Sequence, residues 1–307
     1  MRIGLTGGGA STRKVVEQAV RAEQQGFSSL WYASSVLGDP LVAIAVAGRA
    51  TTSIELGTAV LQTYPCHPLL QANRAAAVAE AMGRPGFTLG LGPSHETLVR
   101  GVYGLSYENP GASTEEYVRI VAALLRGEVI DFDGEHWSAH SADRMAPVGA
   151  RVPVLLSAMS PRMLRVCGQF ADGAVLWMAT ARAIGTLIAP RLHAAATEAG
   201  RSAPRIIAGL PVAVHDDVGE ARAAAATMAT SYAGLTNYQR VLEAGGVDSP
   251  AEAALIGDEE SVRAQLNALL DAGATDVWAQ IVPVGDSRDE RIASLRRTTN
   301  LLAGLVG

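Results

Sequence analysis

Two short stretches carry residue types that could do chemistry. In LGLGPSHE (89–96), Gly90 and Gly92 leave space for a backbone to approach a ligand, and Ser94 is a candidate helix cap. His95 then stands just past an apolar run, where an imidazole can give or take a proton near neutral pH. In SAMSPRM (157–163), Ser160-Pro161 reads as a helix start: serine caps the first-turn amides, and proline there has no N–H to leave unpaired. Such a start presents free amides and the positive end of the helix dipole, and Arg162 adds a fixed charge. This is the chemistry of a phosphate cradle.

The elements flanking these stretches say where they would sit. Residues 152–157 read as a buried strand. A helix follows with Met163, Val166, Cys167 and Phe170 on one face, Asp172-Gly173 stops it, and residues 174–178 form a second strand. Strand, helix and strand within about thirty residues is a parallel βαβ unit, whose ligands bind at the C-terminal strand ends. The pattern recurs. Strands are expected at 2–6, 28–34, 54–61, 86–92, 205–215 and 275–282, with helices at 12–25, 40–50, 67–82, 114–125, 182–199, 259–272 and 288–305. Eight strands, each followed by a helix, predict a single closed (β/α)8 TIM barrel over residues 1–307. A hairpin turning at Asp133-Gly134 is expected outside it, and residues 218–257 form an insertion covering the barrel mouth.

Composition removes several classes of function. The net charge is −5 with no basic run, so nothing marks a nucleic-acid surface. No stretch approaches a membrane span, and the first residues lack the apolar core of a signal peptide, so a soluble, cytoplasmic protein is expected. Lys14 is the only lysine, which leaves no Schiff-base candidate at a strand end. Cys66 and Cys167 have no CxxC spacing, and the i,i+4 pair His136 and His140 falls on the hairpin without a partner acid, so no metal site is expected. Gly92-Pro93-Ser94-His95 does not complete a GxSxG elbow, and Gly7-x-Gly9 lacks the third glycine of a dinucleotide fingerprint. The expected strand ends are apolar and glycine-rich, which suits a flat, largely uncharged ligand.

Four segments, taken in order, resemble the bacterial luciferase-like superfamily, and within it the branch of oxidoreductases that use the 5-deazaflavin coenzyme F-420. They are LGTAVLQTYPCHP, GFTLGLGPSHETLVRGVYGLSYENP, VPVLLSAMSPRMLRVCGQFADGAVLWMAT and IGDEESVRAQLNALLDAGATDVWAQI. The resemblance implies a cis peptide in a third-strand bulge at Ala59-Val60, backing the deazaflavin ring. It implies that Gly92, Pro93, Ser94 and His95, with Ala158, Met159, Ser160, Arg162 and Met163, hold the ribityl and phosphate portion, Thr6 completing the cofactor set. Hydride transfer from the deazaflavin to an activated C=C or C=N bond of a small molecule follows, with His95 as proton donor. Trp31 and Trp177 either wall the ring and substrate or fill the barrel, while Tyr232 and Tyr238 in the insertion contact substrate. The chain departs from several relatives after its second strand, where Tyr32-Ala33-Ser34-Ser35 offers neither acid nor histidine. The alternatives are an FMN-dependent monooxygenase of luciferase type and a cofactor-binding protein without catalysis. A homodimer is also implied by the resemblance.

Overall fold

The computed structural model describes residues 1–9, 11–34, 38–143, 151–232 and 235–307, and of Ser231 and Thr236 the backbone alone. Its strands in chain order are β1 (Ile3–Gly7), β2 (Ser29–Tyr32), β3 (Glu55–Thr58), β4 (Leu61–Gln62), β5 (Phe87–Gly92), β6 (Asp131–Asp133), β7 (Ser138–His140), β8 (Val154–Leu156), β9 (Gly173–Trp177), β10 (Arg205–Val214), β11 (Leu255–Gly257) and β12 (Asp276–Ile281). Parallel pairing runs β1-β2-β3-β5-β8-β9-β10-β12 and returns from β12 to β1. This is the expected closed barrel of eight parallel strands.

Each strand is a short apolar run because both of its faces are covered, by the lumen on one side and by helices on the other. The lumen is filled by Trp31, Leu155, Val175, Ile207 and Trp278. Two glycines make room for the indoles, since a Cβ at Gly57 would strike the Trp31 ring and one at Gly209 the Trp278 ring. Below them, at the N-terminal strand ends, lies a compact ionic floor. Arg2 and Arg205 each bridge Glu55 and Asp276, with four N–O distances of 2.7–2.8 Å, while Thr88 donates to Glu55 and Thr275 to Asp276. Site and floor thus occupy opposite ends of the barrel.

Several boundaries differ from expectation, each for a local reason. The third strand is split into β3 and β4 by Ala59-Val60, whose peptide bond is cis. The helix expected from residue 114 starts at Pro110, because Asn109 takes a left-handed conformation (φ 48°) that turns the chain into it. The hairpin turns over residues 134–137 rather than at Asp133-Gly134; the Glu116 carboxylate accepts the N–H groups of Glu135, His136 and Trp137 and pulls the turn wide. Helix 181–198 is interrupted by a π turn, Ile184–Ile188, immediately before Pro190, which lacks an N–H and would crowd a regular turn. The 218–257 segment contributes helices Val218–Ala229 and Thr236–Gly245 and also β11, which pairs with β10 outside the barrel.

Candidate active site

At the C-terminal strand ends two clefts share a wall made of Val60, Ser157 and Tyr238. The inner one, about 150 Å³, sits on the barrel axis and is lined by Thr6, Ala59, Trp177, Tyr232, Trp278 and Gln280 among others. The outer one, about 180 Å³, runs between the loop after β5 and the helix after β8, and is lined by Gly92 through His95, Tyr107, Met159, Ser160, Arg162 and Met163. Among the described residues that line the inner cleft, none carries a charge.

The outer cleft is built as its sequence dictates. Ser160 has extended backbone and its hydroxyl accepts from the Met163 amide at 3.4 Å, opening helix Pro161–Phe170. The apolar face of that helix, Met163, Leu164, Val166 and Cys167, is buried, so the helix start is pinned over the cleft. Burial pushes the Cys167 thiol well above its usual range, which makes it a core residue. Arg162 is not a free cation: its guanidinium pairs with Glu115 at 2.9 Å and its stem lies against Gly111, where the second helix start at Pro110 also reaches the cleft.

Across from this helix, β5 ends in Gly92, and Ser94 adopts φ 65°, uncommon for a residue with a side chain. A Cβ on Gly92 would come within 2.7 Å of the Val60 side chain, so glycine is what lets the loop lie against the bulge. His95 is the N-cap of the short helix Glu96–Gly101, yet its side chain makes no cap bond, leaving the imidazole turned toward the cleft it lines. Burial lowers its pKa, with no neighbouring charge to oppose the shift. An imidazole of this kind gives up a proton readily.

The two clefts are joined by a run of aromatic rings. Ring centroids lie 6.0 Å apart for His95 and Tyr238, 5.1 Å for Tyr238 and Tyr232, 5.9 Å for Tyr232 and Trp177, and 5.0 Å for Trp177 and Trp278. Trp278 donates from Nε1 to the Thr6 hydroxyl at 2.8 Å. Trp177 Nε1 is buried and has no hydrogen-bond partner, an orphan donor on a residue that lines the inner cleft. Such a group is satisfied by a ligand acceptor.

Two of the expected site residues are placed elsewhere. Trp31 is fully buried in the lumen with Nε1 bonded to Ser29, so it fills the barrel and walls no cleft; its ring points inward because residues alternate along β2. Ala158 is fully buried in the core beneath the helix start and lines neither cleft. Thr6, Ala59 and Val60 meet Trp177, Tyr232 and Tyr238 at the inner cleft, and the remaining expected residues meet at the outer one. Of the Ser34-Ser35 pair, Ser35 lies outside the described residues. Sequence reasoning missed Trp278, Gln280 and Tyr107. The first two stand on the last barrel strand, whose end a complete reading of strand ends would have included; Tyr107 is a loop residue with no periodic signal.

The fold and the placement of both clefts at the C-terminal strand ends define a (β/α)8 barrel enzyme. The chain belongs to the luciferase-like monooxygenase family, whose model matches residues 2–302. It is 26% identical to the 5,10-methylenetetrahydromethanopterin reductase of Methanolobus tindarius, over 91% of this chain and 93% of the relative. It is 28% identical to the coenzyme F-420-dependent glucose-6-phosphate dehydrogenase of Beutenbergia cavernae, over 91% of this chain and 82% of that one. Among solved structures, the coenzyme F-420-dependent tetrahydromethanopterin reductase of Methanopyrus kandleri superposes with a TM-score of 0.77 at 20% identity, covering 98% of this chain and 96% of the other. No described helix is long and apolar enough to cross a membrane.

Proposed function

We propose that the protein is a coenzyme F-420-dependent oxidoreductase that reduces an activated C=C or C=N bond of a small, uncharged substrate. The observation that carries this reading is the division of the site: an uncharged aromatic cleft on the barrel axis joined, across Val60, to an outer cleft with a helix start and Arg162. A flat ring with a long anionic tail has the same division. The orphan Trp177 Nε1 supplies a donor for a ring or substrate carbonyl, and small residues at Gly92, Ser94 and Ser160 keep the outer cleft open for the tail. Bound coenzyme F-420 supplies a two-electron hydride and, with carbon in place of the flavin N5, does not serve oxygen chemistry. The chain's own groups hold the ring against Ala59-Val60, exclude water with Tyr232 and Tyr238, and deliver a proton from His95.

The test is a direct titration of the purified protein with each cofactor. Coenzyme F-420 is expected to bind at micromolar or lower concentration and FMN about 100-fold more weakly, a difference of about 3 kcal/mol. Tight FMN binding with oxygen-dependent turnover and no response to the deazaflavin overturns the reading in favour of the monooxygenase. Because no described cation lines the inner cleft, reduced coenzyme F-420 should be oxidised by the neutral enone cyclohexenone and not by the dianion maleate.

Glu115 tempers the contribution of Arg162 to tail binding. Replacing Arg162 by alanine is expected to weaken coenzyme F-420 binding by no more than about 1 kcal/mol, since a half-exposed, already paired arginine has little to offer. Glu115→Gln, which frees the guanidinium, should tighten binding about two- to five-fold, an effect that grows as salt is lowered. Dissociation constants at two ionic strengths check both.

A further inference from the structure

Tyr107 lies in the loop that follows helix Glu96–Gly101, and its ring rests on Tyr64 with centroids 5.1 Å apart. Its hydroxyl donates to the carbonyl of Ser94 at 2.8 Å. Ser94 is the residue held at φ 65°, and its carbonyl belongs to the peptide that leads into His95. His95 itself has extended backbone (φ −125°, ψ 147°) and no side-chain bond to its own helix. Nothing on that helix therefore fixes the imidazole. Its direction follows from the plane of the 94–95 peptide, and serine, unlike glycine, leaves positive φ when nothing holds it there.

We propose that Tyr107 is a positioning residue: its hydroxyl clamps the Ser94-His95 peptide and so aims the His95 imidazole into the outer cleft. The inference rests on the reading of His95 as proton donor given above. Tyr107 touches no reacting atom in this account, because its hydroxyl is already spent on a backbone carbonyl. It explains why a loop with no cap bond on its histidine can still present that histidine in one direction. The ring of Tyr238 closes the other side of the imidazole at 6.0 Å, so a turned peptide leaves the imidazole without its place.

Tyr107→Phe keeps the ring and its packing on Tyr64 while deleting the clamp. In the oxidation of reduced coenzyme F-420 by cyclohexenone, this variant is expected to lose about ten- to a hundred-fold in kcat, the scale of a misplaced catalytic group, with KM and the cofactor dissociation constant within about two-fold. In a His95→Ala background the same change should alter kcat by less than about two-fold, because the clamp then has nothing to aim. A readout without cofactor is the rate at which diethylpyrocarbonate carbethoxylates His95, followed by peptide mass spectrometry; Tyr107→Phe should change it about three-fold or more. Full activity of Tyr107→Phe beside an inactive His95→Ala overturns this inference alone, as do equal losses in both backgrounds, a loss of cofactor affinity, or an unchanged modification rate. Full activity of His95→Ala removes the proton-donor reading and takes this inference with it.

Discussion

Replacing His95 by alanine is expected to lower turnover by about 10²- to 10⁴-fold while leaving coenzyme F-420 affinity nearly intact, the range for loss of a positioned general acid. The imidazole lines the outer cleft beside the Val60 wall, and burial lowers its pKa. The sign of the pH dependence follows. A donor must be protonated, so kcat/KM in the reducing direction should be highest at low pH and fall as pH rises through a value below the usual 6.5 for histidine. In His95→Ala that limb should disappear from the profile. A variant that keeps full activity and the same limb removes His95 from the mechanism.

Glu55→Ala is the largest expected effect on stability. Glu55 is 8% exposed and accepts from Arg2, Arg205 and Thr88 at the barrel floor. Deleting it leaves the half-buried Arg205 with Asp276 as its remaining acid, a broken buried pair of the kind that costs about 3 to 5 kcal/mol. Chemical denaturation should show this as a lower midpoint at unchanged slope. The floor also predicts how acid acts. Burial alone would raise the pKa of Asp276, but the hydrogen bond and charge of Arg205 outweigh it, with Thr275 and Arg2 adding, so the net shift is downward. Its contribution is therefore fully present above the ordinary aspartate range and is lost as pH falls through the lowered value. A Glu55→Ala protein as stable as the parent would show the floor to be ornamental.

The sequence made the barrel legible because its signal is repeated. Helix, glycine, polar residue and apolar strand recur at Gly26, Gly83, Gly200 and Gly273, and Gly26, Gly83, Gly200 and Gly273 all take positive φ where helices end. The helix start at Ser160-Pro161 was legible for the same local reason: cap chemistry is written within four residues. Contacts between distant segments were not. Trp31 and Trp177 occupy similar places at strand ends, yet one faces the lumen and the other the inner cleft, a choice made by register rather than residue type. The pairing of Arg162 with Glu115 and the clamp from Tyr107 to Ser94 likewise join segments 47 and 13 residues apart. No periodicity records such pairs.

The ionic floor has a further meaning for how the chain reaches its native state. Its bonds connect Arg2 to Asp276 across 274 residues, Arg205 to Glu55 across 150, and Arg2 to Glu55 across 53. Contacts of such separation cannot repay their loop-closure entropy until the first and last strands have met, so they form after the rate-limiting step of folding. Interactions absent from that transition state act on the escape rate alone. The floor is accordingly a kinetic latch, setting how long the closed barrel persists once made and leaving the time needed to make it almost untouched.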